Sequence, residues 1–123
     1  MPESPPGKLL TVLRFIIGGS SWLAPRTAGR VFGLDVDANP QAPYLGRLFG
    51  VRDAVLGVGL LSTTGDARRL WWRVGIACDV ADMAAGLLAG RARELPRGAT
   101  VLVTATAAAA AALGAAALAA DDT

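Results

Sequence analysis

The sequence predicts an all-α protein, a four-helix transmembrane bundle with a short interfacial helix between helices 1 and 2. Three observations predict it. Four apolar stretches follow one another along 123 residues, joined by short connections rich in Pro, Gly and charge. Hydrophobic residues make up 53% of the chain and the mean hydropathy is +0.44, more apolar than an ordinary soluble domain of this size. Tryptophans and arginines gather where apolar stretches end, as they do at a water–lipid boundary.

Residues 1–7 (MPESPPG) are rich in Pro and polar groups and read as a disordered lead. A single membrane domain is expected over residues 8–120, followed by an acidic tail at 121–123. The first helix covers 9–23 and is interrupted by Arg14. A signal peptide is the rival reading for this stretch, but the mid-segment arginine and the lack of a small-x-small cleavage site argue against it. Residues 25–34 (PRTAGRVFGL) form the interfacial helix, with Pro25 at its first position and Gly33 as C-terminal cap. A turn-rich loop over 35–43 leads to the second long helix, 44–61.

Residues 62–66 (STTGD) make a tight connection to the third helix, 68–90, whose Trp71 and Trp72 are expected at headgroup level. After a basic loop, residues 99–120 form an uncharged fourth helix, about 33 Å long at ~1.5 Å per residue. That length suffices for a hydrocarbon core. Its Ala/Gly surface has little bulk for internal packing, so close contact with a second copy, a symmetric homodimer, is expected. An Ala-rich soluble bundle is the alternative fold. Arginines divide almost evenly between the two sides, so the positive-inside rule sets no firm orientation.

Composition excludes several chemistries. Histidine is absent and Cys78 is the sole cysteine, which rules out intrachain disulfides, His-dependent catalysis and Cys/His zinc sites. Cys78 reads as a small packing residue. A net charge of +2, without a basic run carrying aromatics, points away from nucleic acid. No phosphate loop, nucleophile elbow, dinucleotide fingerprint or HExxH occurs, and no cofactor is expected.

The informative residues are charges inside apolar helices. Arg52 and Asp53 lie within the second helix, Asp79 and Asp82 within the third. Ionisable groups at membrane depth are costly and usually face a partner, a cavity or a substrate. Gly46, Gly50, Asp53 and Gly57 share one helix face, as do Gly75, Asp79, Asp82 and Gly86. Small residues let membrane helices approach closely, so the second and third helices are expected to pack face to face. Asp79, Asp82 and Asp53 are the candidate acids. Arg52, Arg47 and Arg14 are the cations available to hold a substrate or the carboxylates. A diphosphate-bound Mg²⁺ on the Asp-x-x-Asp pair is the metal reading, but such membrane enzymes usually show two acidic motifs and this chain has one, so no metal is expected.

The stretches WLAPRTAGRVFGL (22–34) and YLGRLFGVRDAVLGVGLL (44–61), with CDVADMAAGLL (78–88), resemble the small four-helix bacterial membrane proteins grouped as DUF4267. The Gly-Val-Arg-Asp core at 50–53, with Leu56 and Gly57, is the most specific part. The resemblance implies a multi-pass protein of the bacterial inner membrane and carries no assigned activity.

Three functions remain open on these residues. Shielded carboxylic acids could bind a lipophilic small molecule and isomerise or cyclise it by acid–base chemistry. A proton-coupled carrier acting as a dimer is the second, and an accessory subunit of a larger membrane complex the third. A salt-bridge network that only orients helices is the plain structural alternative. The expected partners are the lipid bilayer, that molecule and a second copy of the chain.

Overall fold

A computed structural model describes residues 1–121; the last two positions of the expected acidic tail lie outside the described residues. It contains five helices and, among the described residues, no strand: α1 (Pro5–Leu23), α2 (Pro25–Val31), α3 (Ala42–Ser62), α4 (Gly65–Arg91) and α5 (Arg97–Asp121).

The start of α1 corrects the disordered lead expected over residues 1–7. Ser4 caps the helix by accepting from the Gly7 N–H at 3.2 Å, and Pro5 and Pro6 occupy the first turn, where a missing donor costs nothing. Pro25 separates α1 from α2, and α2 ends where Gly33 takes φ +82° and the Leu34 N–H returns to the Gly29 carbonyl at 2.9 Å. Val36 in the following loop is 2% exposed and packs over Gly29. At the opposite end, Gly65 (φ +58°) makes the tight turn from α3 into α4.

The four long helices run up and down around a square in the order α1, α3, α4, α5. α1 lies on α3 and on α5, and α4 lies on α5, whereas α3 and α4 touch only lightly. α1 and α4 stand on the diagonal, without close backbone approach. The face-to-face packing expected of the two glycine stripes is therefore not found. The α3 stripe serves α1 and α2 instead: a Cβ on Gly50 would sit 2.7 Å from the Gly18 carbonyl, one on Gly57 2.9 Å from the Phe15 ring, and one on Gly46 3.3 Å from Pro25. The α4 stripe divides: Gly86 abuts Thr104 of α5, and Gly75 faces Arg14 of α1. Helical spacing selects a face, while the order of helices around the square selects its neighbour.

α5 packs along α4 and against α1, burying Ala99, Ala107, Gly114 and Ala117. One face of this helix thus has an internal use, contrary to the expectation from its lack of bulk. Ala residues suffice because Gly86 and Gly90 bring the α4 backbone close to Thr100 and Thr104.

The buried apolar cluster is small: Leu10, Leu60, Trp72 and Ala117. Trp72, expected at a headgroup boundary, is 1% exposed, and its Nε1–H donates to Asp121 at 2.7 Å. Asp121 accordingly closes the end of the bundle as the last residue of α5, and the acidic tail does not begin there. The large apolar residues mostly face outward, including Leu9, Val12 and Ile16 of α1, Val51, Val55 and Val58 of α3, and Leu87 and Leu88 of α4. By length and hydropathy one described helix, Arg97–Asp121, suffices to cross a membrane. α1, α3 and α4 carry charges and glycines that lower their average.

Candidate functional site

At mid-height, where an apolar core would sit in a soluble bundle, the interior is ionic. α1 contributes Arg14, α3 Arg52 and Asp53, and α4 Asp79 and Asp82. Asp79 and Asp82 are three positions apart on one face of α4, but they do not pair with each other. Each is taken by a different arginine.

Arg14 crosses the diagonal of the bundle. Its Nη1 and Nη2 donate to Asp79 at 3.0 and 2.7 Å, a two-point carboxylate–guanidinium pair. The same Nη1 reaches Asp53 Oδ1 at 3.4 Å. Gly75 makes this possible, because a Cβ there would lie 2.8 Å from Arg14 Nη2. The glycine one turn before Asp79 is thus a berth for a side chain from another helix.

Arg52 forms the second two-point pair, donating to both oxygens of Asp82, one of them at 2.9 Å. Its guanidinium also lies 4.8 Å from the Phe49 ring centroid, one turn earlier on α3, where the aromatic face favours a cation. Asp53 stands between the two pairs. Its Oδ1 is 3.4 Å from Arg14 and 3.9 Å from Arg52, so it belongs wholly to neither. The cluster holds three carboxylates and two guanidiniums.

Exposure divides the cluster in two. The side chains of Arg14, Asp53 and Asp79 are 4–5% exposed, whereas Arg52 and Asp82 are 33% and 29% exposed. The open pair spans the side of the square where α3 and α4 barely meet. Nε of both arginines is buried without a hydrogen-bond partner. A buried donor left unpaired costs about 1–3 kcal/mol, which an acceptor placed there recovers.

The structure thus brings together five of the six charged residues expected at a site. Arg47 is elsewhere: it is exposed, and its Nε donates to the Trp22 carbonyl at 3.1 Å, tying the end of α1 to the start of α3. Among the described residues no group of three or more acidic or thiol side chains is arranged to hold a metal. Sequence reasoning missed Phe49, for which the three-residue spacing to Arg52 was the available signal. It also missed the Trp72–Asp121 lock, which no local pattern announces.

The Gly-Val-Arg-Asp segment at 50–53 supplies Arg52 and Asp53 to the cluster. Comparison of the chain with models of known families, with curated proteins and with solved structures gives no match.

Proposed function

We propose that the chain is an integral membrane protein that binds a lipophilic small molecule at the α3–α4 opening, against the Arg52–Asp82 pair. The observation that carries this reading is the graded exposure of a single ionic cluster: a sealed floor of Arg14, Asp53 and Asp79 beneath a half-open pair. A network built only to hold helices together has no need of an exposed member. The outward-facing apolar side chains support the membrane setting for all four long helices. A hydropathy average counts Arg14, Arg52, Asp53, Asp79 and Asp82 as lipid-facing, although they turn inward.

The unpartnered Nε of Arg52, the half-open member, favours a molecule bearing an acceptor such as a carbonyl, ether or epoxide oxygen. Separation of Arg52 from Asp82 on binding would release a carboxylate able to take a proton from one carbon of the molecule and return it at another, as an isomerisation requires, while the Arg52 guanidinium donates to the oxygen. A second reading, a proton-coupled carrier, draws on the odd carboxylate: one mobile positive charge balances the cluster.

The test is extraction of purified protein in mild detergent followed by mass analysis of bound non-lipid species. A defined compound is expected with the unaltered chain, lost on Asp82→Asn and retained on the loop variant Arg93→Gln. A folded protein with nothing bound, or equal retention by both variants, would refute the ligand site. Accumulation in vesicles that requires a pH gradient would select the carrier.

A further inference from the structure

Away from the ionic cluster, the surface is furrowed along the α1–α3 seam at the end of the molecule that carries α2. One groove of about 380 Å³ lies where α1 ends and α2 and α3 begin, lined in part by Arg26, Thr27 and Arg47. A second, of about 320 Å³, follows the seam past Gly18, Gly19, Val51 and Ala54. Leu23 borders both, so the polar groove continues into the apolar one. Val51 and Ala54 are four and seven positions after Arg47, hence on the same face, and the furrow follows α3 for ~10 Å beyond the arginine.

Arg26 and Arg47 are exposed, and among the described residues no carboxylate pairs with either. The bond from Arg47 Nε to the Trp22 carbonyl anchors that side chain where it lines the groove. Trp22 and Tyr44, 49% and 66% exposed, stand at the same end, as aromatic residues do at headgroup level. The apolar furrow is open because Gly19 leaves it so: a Cβ there meets nothing within 4 Å.

We propose that this furrow binds an acidic phospholipid, with the headgroup phosphate between Arg26 and Arg47, the Thr27 hydroxyl as a further donor, and an acyl chain along Gly19, Val51 and Ala54. Cations at the mouth match the anionic headgroup, and the apolar run begins where the acyl chain would. The site is separate from the Arg/Asp cluster and shares with the reading above only the membrane setting.

The experiment is native mass spectrometry and thermal denaturation of the full chain in nonionic detergent, with phosphatidylglycerol, phosphatidylcholine or inorganic phosphate added. One tightly held phosphatidylglycerol and a raised Tm are expected, with neither other probe matching it. Arg26→Gln/Arg47→Gln should weaken phosphatidylglycerol binding about 10- to 30-fold, the scale of two cation–headgroup attractions. Gly19→Leu should weaken it comparably by filling the furrow, while the unliganded Tm does not fall, because the added Cβ enters open space and leucine favours a helix more than glycine does. Equal binding of phosphatidylcholine, equal protection by phosphate alone, or undiminished binding to Gly19→Leu would overturn the proposal. Failure of the chain to insert would show separately, as release from membranes by alkaline carbonate.

Discussion

Arg14 is the residue on which most of the interior depends, because it is the one cation that reaches both Asp79 and Asp53. Its removal leaves two sealed carboxylates facing each other's charge, and breaking a buried pair in this way costs about 3–5 kcal/mol. Arg14→Met is therefore expected to lower Tm in detergent more than Arg52→Met, whose partner Asp82 is about a third exposed and can rehydrate. Among the acids, Asp79→Asn should cost more than Asp53→Asn. The first loses one end of a two-point bond, whereas Asp53 has only contacts at 3.4 and 3.9 Å. Denaturation series of these variants check the order, and a Tm for Asp53→Asn below that of Asp79→Asn would contradict it. The charged residues themselves were legible, since an ionisable group within an apolar run is conspicuous in any sequence. Their pairing was not. It depends on the reach of an arginine across the bundle diagonal, which one-dimensional spacing does not contain.

At the scale of the helices, the crossing of α1 and α3 is the tightest junction. Gly18 and Gly50 oppose each other so closely that a Cβ on either falls 2.7 Å from the other's carbonyl oxygen. Backbone atoms cannot rotate away as side chains do, so Gly50→Ala should destabilise by about 1–3 kcal/mol, the usual range for overpacking. Gly98→Ala, where the added carbon meets nothing, is the matched control. A Tm for Gly50→Ala equal to that of the control would show that the helices separate freely. Periodicity places Gly50, Gly57, Gly75 and Gly86 on packing faces, and each does abut another helix. It does not identify the neighbour, because a helical face has no label for its partner. Element bounds were legible within a few residues. The chief miss was the start of α1, where the Ser4 cap and the tolerance of a first turn for proline outweigh the look of a Pro-rich coil.

For the molecule as a whole, the distribution of polarity is inverted relative to a water-soluble bundle, with ions at the centre and leucines and valines outside. On the proposed membrane reading, lipid around the four long helices is the setting that makes this arrangement stable. The native chain is then expected to remain in the membrane pellet after an alkaline carbonate wash and to require detergent for release. Its recovery from the wash in folded form would show that the outward apolar faces are covered by something other than lipid. Hydropathy singles out one described helix, Arg97–Asp121, as long and apolar enough to cross a membrane, and averaging along a segment does not separate inward from outward residues.

Arg14 and Asp79 stand 65 residues apart in the chain, so they are not synthesised together. At ~5–20 residues/s, translation leaves α1 without its counter-ion for about 3–13 s. α3 is neutral at its centre and offers only Asp53 as a provisional partner, while α4 arrives with two anions. On the proposed membrane reading, insertion of the first helices is therefore provisional, and the arrival of α4 commits the chain to its final topology. A chain that stalls before Asp79 is left displaying a stranded cation in its first helix, a mark by which quality control could tell an unfinished copy from a finished one.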